Sequence, residues 1–205
     1  MEENIIVPTN IAYSSCILQG NIEQLRKEYT FLRTGNIGYS VLGKPIPYIQ
    51  IGNGEKEVMY SSSIHANEWI TSVLLMKFVE DFSKAYKNND FIYGYNAREI
   101  FNKAKIYIIP MLNPDGVDLV TGVIRENTGV YNNFKDISLN FPNIPFPSGW
   151  KANFNGVDFS NFQYTLLINR LDWRLLCLII LFSKFLHIQF FHYLLIYYHL
   201  LYLND

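Results

Sequence analysis

Ser61-Ser62-Ser63-Ile64-His65-Ala66-Asn67-Glu68-Trp69-Ile70 joins a β-type run to a helical one and carries a histidine and a glutamate three residues apart. A one-turn spacing puts both side chains on the same face of the first helical turn. An imidazole nitrogen and a carboxylate oxygen so placed supply two parts of a His₂Glu zinc site, the catalytic arrangement that leaves one position open for water. Alone, the pair is unspecific, because a His and a Glu three apart on a helix are more often surface neighbours than ligands. The flanking sequence decides its meaning.

Residues 57–64 read as a strand, with Val58, Tyr60 and Ile64 favouring β structure and Ser61, Ser62 and Ser63 small. Beyond the pair, Trp69, Ile70, Val73, Leu74, Leu75, Phe78, Val79, Phe82 and Tyr86 recur at helical spacing. Lys77 with Asp81, and Glu80 with Lys84, stand i,i+4 on the other face. So wide an apolar stripe predicts a helix covered by a sheet. Residues 105–109 read as a second strand that stops at Pro110-Met111-Leu112-Asn113-Pro114-Asp115-Gly116, a dense turn signal. Strand, long helix, strand is a βαβ unit with parallel strands. In such sheets ligands sit outside the carboxyl ends of the strands, where both His65 and the Asn113 turn fall.

The segments GYSVLGKPIPYIQIG (38–52), SSIHANEWITSVLLMKFVED (62–81), IYIIPMLNPDGVDLV (106–120) and SGWKANFNGVDFSNFQ (148–163) follow one another in an order that resembles the zinc metallocarboxypeptidases of the carboxypeptidase A type. The likeness is greatest to the bacterial γ-D-glutamyl-meso-diaminopimelate peptidases and covers about residues 10–163. It implies that His65 and Glu68 are the first two zinc ligands. It also implies that Asp158 is the carboxylate that holds a ligand imidazole in the right tautomer. Lys151, after Trp150, stands where the family keeps a cation near the scissile carbonyl. The bland alternatives are a turn aspartate after Gly156 and a solvated loop lysine.

Departures begin just beyond. Where the family carries Leu-Asn and often Arg to grip a substrate carboxylate, this chain has Phe159, Ser160 and Asn161. Asn161 cannot supply the bidentate, permanently charged clamp of an arginine. Recognition of a free carboxyl terminus is weakened by that departure, which is less damaging to an endopeptidase reading. The family's third zinc ligand is a later histidine and its general base a later glutamate. After Asp158 the sequence contains no glutamate, and its histidines are His187, His192 and His199.

Those histidines lie in an apolar run that begins near Thr165 and has no glycine or proline. Neither helical nor strand periodicity survives in it. Residues 185–203 carry no formal charge and are long enough to span a bilayer. Three histidines, Gln189 and many mid-span tyrosines argue against an anchor. A buried core helix is a second account, and a slipped reading frame after Gln163 a third. The coincidence of the composition break with the end of the resemblance favours the third.

The 205 residues suit a single catalytic domain over residues 1–164, incomplete by the measure of the family, followed by the tail at 165–205. With 17 basic against 18 acidic residues and no basic stripe, no nucleic-acid partner is expected. Cys16 and Cys177 form no CxxC, and Met1-Glu2-Glu3-Asn4 is not a secretory signal, so a cytoplasmic setting is expected. Membrane association through residues 185–203 is the alternative.

Residues 21–31 read as a helix capped by Asn21, with Gly35 beyond its end. Residues 37–41 and 47–51 read as a hairpin, residues 97–102 as a short helix, and residues 121–148 as a long loop. On that loop Tyr131 and Phe146 are expected to tether it to the domain. The fold class expected is α/β, a mixed, mostly parallel sheet flanked by helices. The resemblance implies a zinc-dependent peptidase acting on cell-wall peptides that contain γ-D-glutamyl-diaminopimelate. The alternative is an inactive, membrane-anchored protein that binds peptides.

Overall fold

Residues 5–158 are described by the computed structural model. In chain order they form α1 (Ser15–Glu28), β1 (Arg33–Tyr39), β2 (Pro45–Ile51), β3 (Lys56–Ser61), a 3₁₀ turn (Ala66–Glu68), α2 (Ile70–Asn88), β4 (Phe91–Ile92), β5 (Tyr95–Asn96), α3 (Ala97–Lys103), β6 (Ala104–Ile109), α4 (Pro114–Val120) and α5 (Gly129–Ser138). Four strands make one mixed sheet in the order β1-β2-β6-β3. β3 and β6 are parallel, in register from Lys56 opposite Ala104 to Ser61 opposite Ile109. The expected βαβ unit is therefore β3-α2-β6. The β1/β2 and β2/β6 pairings are antiparallel, so among the described residues the sheet is mixed as expected but mostly antiparallel where mostly parallel pairing was expected, because the hairpin places β2 beside β6.

Most of the stripe read from sequence does the packing, joined by Met76, while Ile70 is exposed. Val73, Leu75, Met76, Phe78, Val79 and Phe82 of α2 share one buried cluster with Ile49, Ile51, Ile106 and Ile108 from the sheet. Each such side chain contributes about 1.5–3 kcal/mol when fully removed from water. The turn from β2 to β3 is set by Gly52, whose φ of +86° and close approach to the Ala104 and Phe101 carbonyls exclude a side chain.

Other expectations need correction as well. α1 begins at Ser15, with Ser14 as its N-cap, and Asn21 lies inside it. There Asn21 accepts from the Tyr13 hydroxyl (2.7 Å) and donates to the Ile6 carbonyl (2.9 Å). Gly20, in the middle of α1, and the buried polar role of Asn21 hid the first turns. Gly35 belongs to β1 and does not end the helix. Residues 121–148 contain α5, capped by Thr128, whose hydroxyl accepts the Tyr131 N–H. Glu80, expected opposite the apolar stripe and paired with Lys84, keeps that pair at 3.5 Å but does not face solvent. It is fully buried and accepts the backbone N–H groups of Ile6 (2.8 Å) and Val7 (3.3 Å), tying the amino-terminal segment to α2.

Leu119, Tyr131, Phe134 and Trp150 build a second apolar cluster with Ala66 and Ala152. Tyr131 belongs to this cluster and Phe146 packs against it, meeting Trp150 edge to face at 5.9 Å, so both act as tethers for the 121–148 segment. Among the described residues no helix is long and apolar enough to cross a membrane. The tail, its membrane alternative, and Ser160 and Asn161 lie outside the described residues.

Candidate metal centre

Beyond the carboxyl end of β3 the chain bends at Ser63, a buried residue with φ +46°. Few residues other than glycine or asparagine adopt this conformation, and it survives where its surroundings over-determine it. Here the Ser63 N–H donates to Thr71 Oγ1 (2.9 Å), its hydroxyl meets Ser72 Oγ (2.6 Å), and its carbonyl accepts the Asn113 N–H (3.0 Å). His65 follows in extended conformation as the cap of the 3₁₀ turn. The expected first turn of an α-helix is thus a tighter turn that precedes α2. At three residues per turn, positions i and i+3 eclipse, so His65 and Glu68 still share a side.

His65 Nδ1 lies 3.0 Å from Glu68 Oε1, and His65 Nε2 lies 3.4 Å from Asp158 Oδ1. The side chains of His65, Glu68 and Asp158 are 20%, 44% and 40% exposed, so the group opens to solvent as a reacting site must. The hydrogen bond to Glu68 holds the His65 imidazole above its ordinary range against the opposing effect of burial. The nearby charges of Glu68 and Asp158 raise it further, and that of Lys151 lowers it.

The segment before Asp158 is laid directly on this loop. Ala66 N–H donates to the Lys151 carbonyl (3.1 Å) and Asn67 N–H to the Trp150 carbonyl (3.0 Å). These are N–H groups that the start of a helical turn leaves without an internal partner. Lys151 is exposed, and its charge is felt at His65. Gly116, at the start of α4, allows the close fit. A Cβ there would meet Ala66 Cβ at 2.6 Å and the Ala152 carbonyl at 2.7 Å. The Asn-Pro-Asp-Gly run, expected only to turn the chain, caps α4 with Asn113 and places Pro114 in its first turn. Asn before Pro at a cap position was the available signal.

The donor chemistry fits zinc in part. Two donors each bound at about 2.0–2.2 Å around a tetrahedral ion stand roughly 3.3–3.6 Å apart; His65 Nδ1 and Glu68 Oε1, in direct contact at 3.0 Å, would have to part slightly to admit one. Among the described residues no group of three or more His, Cys, Asp or Glu side chains is arranged to hold a metal. Catalytic zinc sites use three protein ligands, so the pair alone does not complete one.

The zinc carboxypeptidase family matches residues 19–165 of the chain. A γ-D-glutamyl-L-diamino acid endopeptidase of Lysinibacillus sphaericus is 42% identical over 73% of this chain and 37% of its own length. An uncharacterized protein of Bacillus subtilis is 31% identical over 72% of this chain and 39% of its own. The chain therefore spans well under half the length of either relative. The crystal structure of a metallo-carboxypeptidase from Burkholderia cenocepacia superposes with a TM-score of 0.52 at 14% identity, covering 75% of this chain and 33% of that one. That likeness is one of fold.

Proposed function

The chain belongs to the zinc carboxypeptidase family, and from that premise we propose that it carries part of a metallopeptidase site for a peptide or isopeptide bond between a γ-D-glutamyl group and a diamino acid such as diaminopimelate. Peptides derived from the cell wall contain this linkage. The observation that carries the proposal is the placement of His65 between Glu68 and Asp158. Support for the substrate class comes from the Lysinibacillus sphaericus endopeptidase.

In this proposal His65 Nδ1 and Glu68 Oε1 would hold the zinc ion. When bound, zinc polarises the scissile carbonyl and lowers the pKa of its water. Asp158 accepts the Nε2–H of His65, which keeps the proton on that nitrogen and leaves the Nδ1 lone pair free. The Lys151 ammonium stabilises negative charge as it develops on the carbonyl oxygen. Ser160 and Asn161 stand in sequence where the family grips a substrate carboxylate and would serve there without an arginine clamp, consistent with an endopeptidase. No glutamate follows Asp158 in the 205 residues. For this chain by itself the proposal is accordingly weak zinc and peptide binding without turnover, since a positioned base contributes about 10²–10⁴-fold to rate.

Zinc uptake by the refolded full chain, read by competition with a chromophoric chelator, tests the site. Uptake should fall in both His65→Ala and Glu68→Ala, and a parent chain whose uptake ignores both changes would remove the metal assignment. Release of diaminopimelate from a γ-D-glutamyl-diaminopimelate peptide should stay at background. Turnover abolished by His192→Ala would instead make the tail part of the site.

A further inference from the structure

The three chain segments that meet at His65 are joined by one buried side chain. Asn113 is 2% exposed and uses each of its polar groups. Its N–H donates to the Ser63 carbonyl (3.0 Å), and its carbonyl accepts the Val117 N–H (3.0 Å). Its Oδ1 accepts the Gly116 N–H (3.1 Å). Its Nδ2 donates to the carbonyls of Lys151 (3.1 Å) and Ala152 (3.1 Å). The bend before His65, the start of α4 and the strand of chain bearing Lys151 are thereby held in one hydrogen-bonded unit.

From Ala152 the linkage continues to Asp158 through a closed turn. Asn153 N–H donates to the Val157 carbonyl (3.0 Å), and Gly156 N–H donates to the Asn153 carbonyl (3.0 Å). Asn153 Oδ1 accepts the N–H groups of Asn155 (2.9 Å) and Val157 (3.0 Å). Gly156 takes the left-handed conformation that the turn requires, at φ +74°. Asp158 is the residue after this turn, and its carboxylate reaches His65 Nε2.

We infer that Asn113 is a positioning residue for the metal site: its amide fixes the Lys151–Ala152 backbone against the His65 loop, and through the Asn153 turn it sets the contact between Asp158 and His65. Its consequence for metal binding rests on the metallopeptidase reading above. Only asparagine meets the requirement at this position. Aspartate keeps the acceptor for the Gly116 N–H but loses both donors and turns a carboxylate toward two carbonyl oxygens. Alanine leaves the Ala152 carbonyl and the first turn of α4 without a partner.

The test compares Asn113→Asp, Asn153→Gly and Asp158→Ala in the metal-free full chain, in mild detergent. Long-range ¹H–¹⁵N spectra of the imidazoles report the tautomer, the His65 signals being identified by His65→Gln. Far-UV circular dichroism reports the fold. Asn113→Asp should keep the parent circular dichroism while its His65 ring adopts the pattern of Asp158→Ala. Asn153→Gly, which leaves Asn113 and α4 untouched, should give that same pattern, and this carries the test should Asn113→Asp not fold. A parent-like His65 ring in a folded Asn113→Asp chain overturns the inference, as does a parent-like ring in Asn153→Gly. Zinc affinity is measured separately and should fall about tenfold or more in both variants. If the parent chain takes up no zinc, the metallopeptidase reading fails while the ring comparison still decides the role of Asn113.

Discussion

Asp158 meets His65 at the ring nitrogen that Glu68 leaves alone, Oδ1 to Nε2 at 3.4 Å against Oε1 to Nδ1 at 3.0 Å. With a metal ion at Nδ1, a neutral imidazole would carry its one proton on Nε2, where the Asp158 carboxylate would hold it. Removing that carboxylate frees the ring to take the other tautomer or to turn. Asp158→Ala is expected to lower zinc affinity about 10–100-fold with little change in thermal stability. Chelator competition alongside a thermal melt separates the two effects, and an unchanged affinity would leave Asp158 a turn residue.

Gly116→Ala tests the packing under the site. Its new Cβ would stand 2.6 Å from Ala66 Cβ, 2.7 Å from the Ala152 oxygen and 2.8 Å from Asn113 Nδ2, all too close. The Ala152 oxygen is backbone and the Ala66 Cβ has no rotamer of its own, so the strain cannot be relieved by a rotamer change. Destabilisation of about 1–3 kcal/mol is expected, as for overpacking elsewhere. Urea unfolding measures it, and a variant as stable as the parent would show that α4 is free to move away from the Ala66 turn.

Glu80→Ala should be among the more damaging changes far from the site. It strips the Ile6 and Val7 N–H groups of their acceptor and leaves Lys77, 3.1 Å away, without its buried partner. Stranding two backbone N–H groups by removing their charged acceptor costs about 2–3 kcal/mol. Denaturant titration gives the value directly. A loss below about 1 kcal/mol would mean that the amino-terminal segment contributes little to the domain.

Acid sensitivity follows from the same carboxylate. Burial pushes Glu80 upward, but the Ile6 N–H bond and the charges of Lys77 and Lys84 outweigh it and hold the group below its ordinary value of 4.5. A depressed carboxylate contributes stability in full above the unfolded value, and loses it as pH falls through the folded one. The parent should therefore lose stability progressively below about pH 4.5, and Glu80→Gln should lose less over that range. Melting temperatures of both chains between neutral pH and pH 3 check this, and parallel curves would refute it.

Local pattern determined much of this molecule. The spacing of Val73, Phe78, Val79 and Phe82 marked α2, and the apolar runs around Val58 and Ile106 marked the parallel strands that flank it. Burial on one face repeats with the backbone period, so it leaves a trace that a single sequence displays. The His65–Glu68 spacing was legible for the same reason, since eclipsed positions in a 3₁₀ turn and neighbours in an α-helix share the interval of three.

Tertiary structure decided the rest. Whether Glu80 faced water or the Ile6 and Val7 N–H groups, whether Asn113 merely turned the chain or joined three segments, and whether Asp158 came within reach of His65 all depended on partners distant in sequence. Such contacts follow no period. A hydrogen bond between remote segments requires one donor and one acceptor at one place, and the residues that supply them look no different in sequence from those that face solvent.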